Sequence, residues 1–100
     1  MPKKIKDGLI TLFKTAIENV NSTLFIDDKI IFDKNLIIKG DNCLIESLTI
    51  INLLLEIERL VAKNLKKKIE IFEMYQEYSG ENLIIDKFIT ILNEVIENKF

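Results

Sequence analysis

The stretch that decides the fold is LIESLTIINLLLEIE, residues 44–58. From Ser47 to about Leu65, polar residues recur at spacings of three and four, which is the period of an α-helix. Nearly all other positions are Leu, Ile or Val, so the pattern predicts a helix with one narrow solvent-exposed stripe. Such a helix must contact neighbours on several sides, and we expect it to be central, with the run Leu53–Leu55 buried. The exposed stripe consists of Thr49, Asn52, Glu56, Arg59 and Lys63.

Two further segments carry the same helical period. Apolar residues recur on one stripe between Ile5 and Val20, and residues 21–23 (Asn-Ser-Thr) end that helix. A second stripe runs from Ile85 to Ile96 and predicts the closing helix. Its expected polar face consists of Lys87, Thr90, Asn93, Glu94 and Glu97.

The segment between the central and closing helices predicts a short helix. Residues 66–68 are three lysines that end the central helix, and residues 69–72 alternate like a short extended piece. Residues 73–79 then predict a brief helix whose Met74, Tyr75 and Tyr78 face inward. Residues 80–82 (Gly-Glu-Asn) stop it and restart the chain.

Residues 24–45 contain three short β-branched or aromatic clusters, at 25–26, 30–32 and 36–38. Taken alone, the clusters read as a hairpin, but an isolated hairpin is only marginally stable and no third strand is evident. We therefore favour a long connection whose apolar clusters pack onto the helices, with a turn at 40–42. The fold class expected is all-α: a small antiparallel four-helix bundle, three main helices plus one short helix, with a long loop between helices 1 and 2.

Composition limits the classes of function. One hundred residues, of which 48% are hydrophobic and 30% charged, predict a single globular domain over residues 1–100. The net charge of −2 does not indicate nucleic-acid binding, and the absence of histidine with only one cysteine, Cys43, argues against His-based catalysis and zinc sites. Neither a signal peptide nor a membrane span is predicted, so we expect a soluble cytoplasmic monomer.

Ser47 has two interpretations. The ordinary one is a helix N-cap, the commonest reason for serine to precede an apolar helical run. The usual reinforcing Glu or Gln three residues later is absent, because Ile50 stands there. The other interpretation is an attachment site, because the N-terminus of a helix favours a phosphate group.

The residues from Leu44 to Glu58 resemble the acyl carrier protein family around its Asp-Ser-Leu signature. In that family an apolar spacing and then an acid follow the serine, and Leu48, Ile51, residues 53–55, Ile57 and Glu58 occupy those places here. The helical outline resembles the family over most of the chain, and Leu36 and residues 40–41 resemble its approach to the signature. Only the match at residues 44–48 and in the helix that follows them is specific to that family.

The resemblance implies a function. Ser47 would carry a covalent 4′-phosphopantetheine arm that holds acyl or aminoacyl groups as thioesters, in fatty acid or secondary-metabolite biosynthesis, while the protein itself catalyses nothing. The implied partners are a phosphopantetheinyl transferase, an adenylate-forming ligase and a downstream acyltransferase or synthase. The implied docking surface consists of Glu46, Leu48, Thr49, Ile51, Asn52 and Glu56.

Two departures from the family pattern bear on the partners. Glu46 stands where the family has aspartate, and the exposed stripe is poor in acids and ends in a lysine run. Because charge complementarity sets partner choice and encounter rate, we infer dedicated partners rather than the general fatty-acid elongation enzymes. The alternative from another class is a helical protein-interaction module in which Ser47 is only a cap. Carboxylate pairs such as 27–28 lack the supporting residues of an enzyme site.

Overall fold

A computed structural model describes the backbone of residues 2–24 and 29–99, and the side chains of residues 7–24 and 29–98. The described chain is mostly helical, as predicted, with a small two-stranded sheet. In order, the elements are α1 (Pro2–Asn21), β1 (Ile37–Lys39), α2 (Ser47–Leu65), α3 (Ile71–Glu77), β2 (Leu83–Ile84) and α4 (Ile85–Lys99). Helix α1 packs against both α2 and α4, and α2 packs against α3.

Helix α2 has the predicted bounds but a wider exposed face than predicted. It ends at Leu65, and the C-cap residue Lys66 adopts the left-handed conformation (φ 57°). Its buried side chains are Ile50, Leu53, Leu54, Ile57, Leu60 and Val61. The expectation that Leu55 is buried was wrong, because that side chain is 50% exposed. Consecutive helical residues point about 100° apart, so three adjacent leucines cannot all face α1 and α3.

The core is completed by α1 and α4. The Phe13 and Phe88 rings meet edge to face with their centroids 6.2 Å apart, which joins the two helices. The stripe of α4 is buried as predicted, except that Val95 is only partly buried. Asn93, which we expected on the polar face, is instead buried, with 8% of its surface exposed. The Asn93 amide nitrogen lies 3.5 Å from Glu97 Oε1.

The connection after α1 is anchored onto the helices, as expected for its described part. The Asn21 side chain forms two hydrogen bonds with the backbone of Ile30, donating to its carbonyl at 2.8 Å and accepting from its N–H at 2.7 Å. Ile30 and Ile38 are buried, whereas Ile31 is 81% exposed. The cluster at 25–26 lies outside the described residues, as does the acidic pair at 27–28.

The short sheet is the element that sequence reasoning missed. Strand β1 pairs antiparallel with β2, with Ile37 opposite Ile84 and Lys39 opposite Leu83. The cluster at 36–38 therefore pairs with a distant segment and not with the neighbouring cluster at 30–32. The Leu36 carbonyl also accepts the N–H of Ile85 at 2.8 Å, which satisfies a free amide at the start of α4.

Two local predictions about residues 66–82 have mixed outcomes. Helix α3 begins at Ile71, two residues earlier than predicted, so the extended piece expected at 69–72 was wrong in its second half. The cause is tertiary: Ile71 is fully buried, and the N–H of the next residue is bonded to a side chain of α2. Met74, Tyr75 and Tyr78 pack against the core as expected.

In the described part of the chain, no helix is long and apolar enough to cross a membrane.

Candidate functional site

Ser47 is the first residue of α2, and Glu46 before it is the N-cap. The backbone of Glu46 is extended and its carbonyl accepts the N–H of Ile50 at 3.0 Å, but its side chain makes no capping hydrogen bond. Ser47 is exposed and its hydroxyl forms no hydrogen bond with any described residue. The free N–H groups of the first turn are therefore not covered by a side chain, which leaves them available to an anion.

A groove of about 350 Å³ opens beside Ser47. One side is formed by the end of β1 and the turn that follows, another by the first two turns of α2, and the third by α3. Its lining residues are Lys39, Gly40, Cys43, Ile45, Ser47, Ile50, Ile51, Phe72, Tyr75 and Gln76. The serine hydroxyl thus lies at the edge of a depression with apolar side chains from two helices.

Two polar groups that line this groove are already bonded to the backbone. The Lys39 ammonium donates to the carbonyls of Tyr75 at 2.7 Å, Tyr78 at 2.9 Å and Gln76 at 3.2 Å. The Tyr75 hydroxyl donates to the Ile38 carbonyl at 2.8 Å, and burial raises the pKa of this phenol. Neither group is free to act as a base toward Ser47. The groove is thus suited to binding rather than to activating a nucleophile.

The turn at residues 40–42, before Ser47, packs closely against the backbone of residues 81–82. Gly40 has φ 122°, a conformation that residues with a Cβ rarely adopt. A Cβ at this position would lie 2.8 Å from the Glu81 carbonyl oxygen and would collide with the Asn82 side chain. The segment that leads to Ser47 is therefore fixed against the loop that precedes β2.

The structure brings all six residues of the expected docking surface to the first three turns of α2 and its N-cap. Leu48 is 66% exposed and Ile51 is 36% exposed, so two apolar side chains lie on the surface near Ser47. Glu46 and Asn52 are exposed, and Thr49 and Glu56 are partly buried.

Glu56 is engaged within the protein. Its carboxylate accepts two hydrogen bonds from Arg59, at 3.0 and 2.7 Å, and a third from the Asn19 amide of α1 at 2.7 Å. The hydrogen bonds from Arg59 are the main reason that the pKa of Glu56 is lowered. This acid therefore joins α1 to α2, and its charge is balanced by the neighbouring guanidinium.

Sequence reasoning missed a second apolar region beside the helix start. Leu44 is 96% exposed, and with Ile31 it lines a cavity of about 380 Å³ that also reaches Glu46 and Thr49. Lys39 and Phe72 were missed as groove residues too. No local signal distinguishes them, since both become part of the site only through packing between distant segments.

No group of three or more potential metal ligands occurs among the described residues. Comparisons with protein-family models, with curated proteins and with solved structures yielded no match to this chain. The geometry of the Ser47 site and the sequence around it are therefore the observations that bear on function.

Proposed function

We propose that this protein is an acyl or aminoacyl carrier protein of the cytoplasm, with Ser47 as the attachment point of a 4′-phosphopantetheine arm. The observation that carries the proposal is the position of Ser47. It is exposed, its hydroxyl has no hydrogen bond with any described residue, and it begins a long helix beside a groove that is lined in part by apolar side chains.

The helix start suits the chemistry of attachment. A phosphodiester on Ser47 Oγ places negative charge near the free N–H groups and the positive end of the α2 dipole. Glu46 does not compete for those N–H groups, because its side chain makes no capping bond, and the first turn of α2 contains no acid. An attached phosphate would therefore meet backbone donors with little opposing charge from α2 itself.

The groove can bind part of the carried group. Ile50, Ile51 and Phe72 are among its lining residues, and they would remove part of an apolar acyl chain from water. The lining lysine and tyrosine are bonded to backbone carbonyls, so neither of these two side chains is free to attack a thioester held in the groove. This supports a carrier whose chemistry is performed by its partners.

The surface around Ser47 supports docking by dedicated enzymes. We propose that a phosphopantetheinyl transferase, an adenylate-forming ligase and a downstream acyltransferase or synthase contact the exposed Leu48, Ile51 and Asn52. In this region Glu56 is paired with Arg59, which leaves Glu46 to supply the acidic contact near the serine. Partners that rely on a strongly acidic helix would associate slowly with this surface.

Mass spectrometry of the intact chain tests the proposal. The wild-type chain is co-expressed with a broad-specificity phosphopantetheinyl transferase, and we expect the 4′-phosphopantetheine adduct on the peptide that contains Ser47. The control is Ser47→Ala, which should carry no adduct and keep the same fold because this side chain is exposed. A wild-type chain that stays unmodified with several transferases contradicts the proposal.

The second candidate is a helical interaction module without an arm. The exposed Leu44 and Leu48 favour a protein-binding surface in this region whether or not Ser47 is modified. The two candidates differ in their dependence on the serine. A module binds its partner equally well after Ser47→Ala, whereas a carrier loses every step that requires the arm.

A further inference from the structure

We propose that two copies of this chain associate through α2, with the two helices packed antiparallel along a row of four exposed apolar residues. These residues are Leu48, Ile51, Leu55 and Ala62, and they are called the α2 stripe from here on. The inference goes beyond the proposed function, since it concerns the unmodified chain and does not depend on an arm at Ser47. Composition alone predicts a monomer, whereas the exposed face of α2 favours a dimer.

The α2 stripe has the spacing of a helix–helix contact. Leu48, Ile51 and Leu55 follow one another at three and four positions, and Ala62 comes one heptad after Leu55. This is the repeat by which two helices pack their side chains together. Leu48 is 66% exposed, Ile51 36% and Leu55 50%, while the opposite face of α2 is buried in the core. A contiguous apolar row left in water in this way is typical of an interaction surface.

The two halves of the α2 stripe have complementary shapes. The first half carries the large side chains of Leu48 and Ile51, and the second half carries the small Ala62 beside a groove of about 630 Å³. The apolar lining residues of this groove are Leu55, Ala62, Ile69 and Phe72. Leu48 and Ala62 are each seven residues from Leu55, about 10 Å along the helix in opposite directions. In an antiparallel pair centred on Leu55, Leu48 of each copy therefore lies over Ala62 of the other, as a two-fold interface requires.

The charges at the ends of α2 favour the antiparallel arrangement. Glu46 is exposed at the start of the helix, and Lys63 and Lys66 are exposed at its end. None of the three forms an ion pair with a described residue. An antiparallel second copy places the lysine end of one helix against the glutamate end of the other, twice, and also opposes the two helix dipoles. Nearer the middle, the Arg59 guanidinium is paired with Glu56 at 2.7 Å, so that pair brings no uncompensated charge to the contact.

The contact would be weak and dependent on concentration. One helix face from each copy is a small interface, so we expect a Kd on the order of 10–100 µM. Leu48 and Ile51 also belong to the surface that we propose for docking of the partner enzymes. A second copy and an enzyme would therefore compete for α2, and self-association would keep this surface covered until an enzyme displaces the second copy.

Sedimentation velocity of the unmodified chain between about 5 and 500 µM tests the dimer. We expect a shift from monomer to dimer over this range. Leu55→Lys places two ammonium groups together at the two-fold midpoint and should raise the Kd at least about tenfold. The matched control is Ile31→Lys, which makes the same change in charge at a side chain that is 81% exposed and lies outside α2. It should leave the Kd unchanged, and circular dichroism should show that both variants keep the fold.

A charge exchange tests the orientation. Glu46→Lys should raise the Kd by about threefold or more at low salt, because like charges then meet at both ends of the contact. Glu46→Lys/Lys63→Glu has the net charge of the parent and should restore the parent Kd. Both variants carry the same lysine at the start of α2, so an effect on the helix itself would not be reversed. On dilution, the amide chemical shifts of the α2 stripe should change while those of α4 stay constant.

Three results would overturn the proposal. The first is a chain that stays monomeric at about 500 µM. The second is an equal effect of Leu55→Lys and Ile31→Lys, which would place the contact elsewhere or make it a response to charge alone. The third is a Kd that does not recover in the charge exchange, which would exclude the antiparallel arrangement. All of these measurements use the unmodified chain, so an absent dimer leaves the Ser47 adduct unaffected, and an absent adduct leaves the dimer standing.

Discussion

Replacing Leu54 by alanine should destabilise the protein strongly, whereas the same change at the adjacent Leu55 should have little effect. Leu54 is 1% exposed and belongs to the face of α2 that enters the core, while Leu55 is 50% exposed. Truncating a buried leucine removes its transfer free energy and leaves a cavity, at a cost of about 2–5 kcal/mol. At Leu55 no enclosed cavity forms and half of the surface is already in water, so we expect a loss below about 1 kcal/mol.

Urea denaturation followed by circular dichroism measures both changes. For a domain of this size, about 3 kcal/mol corresponds to a fall in Tm of roughly 12–24 °C. Leu54→Ala should therefore unfold at clearly lower urea and lower temperature than the parent, and Leu55→Ala should stay within a few degrees of it. The two variants have the same composition, so unfolded-state effects largely cancel. Equal losses at the two positions would refute the assignment of the faces of α2, and with it the exposed surface beside Ser47.

Three further outcomes are expected. Glu56→Gln should lower the free energy of unfolding at pH 7 by about 1 kcal/mol or less. Because the pKa of Glu56 is lowered in the folded state, this stability difference is present above the ordinary pKa of glutamate and is lost as the pH falls through the pKa of the folded state. A stability difference that grows in acid would contradict the pairing of Glu56 with Arg59. Gly40→Ala should cost about 2 kcal/mol or more, since φ is 122° and the new Cβ meets backbone, and a neutral result in urea denaturation would refute the close approach. Asn21→Ala should speed amide exchange of Ile30 and lower stability by about 1–3 kcal/mol, and an unchanged exchange rate would show that the two hydrogen bonds do not hold the connection.

The helical elements follow from local information. The spacing of apolar residues at three and four positions predicted α1, α2 and α4. Helix α2 runs from Ser47 to Leu65, as predicted. The position of Ser47 at a helix start was also readable, because a polar junction precedes a long apolar run. What Ser47 does there stays a proposal, which the adduct measurement decides.

Other features depend on contacts that no local pattern contains. The cluster at 36–38 had the composition of a strand, but its partner is β2, more than forty residues later in the chain. The two strands have three and two residues, which is too short for an alternating apolar pattern to show in the sequence. Their pairing across such a separation therefore has no local signal. The start of α3 at Ile71 depends in the same way on burial and on Glu58.

The sequence by itself determined where the long helices lie and that a serine begins the most apolar one, because helical period and end signals are properties of neighbouring residues. Only the tertiary structure decided which of the adjacent leucines faces the core, and that Lys39 and Glu58 reach the two ends of α3. Those arrangements arise where distant segments pack, so they depend on the geometry of the whole fold. The groove beside Ser47 is formed in that way, from β1, α2 and α3 together.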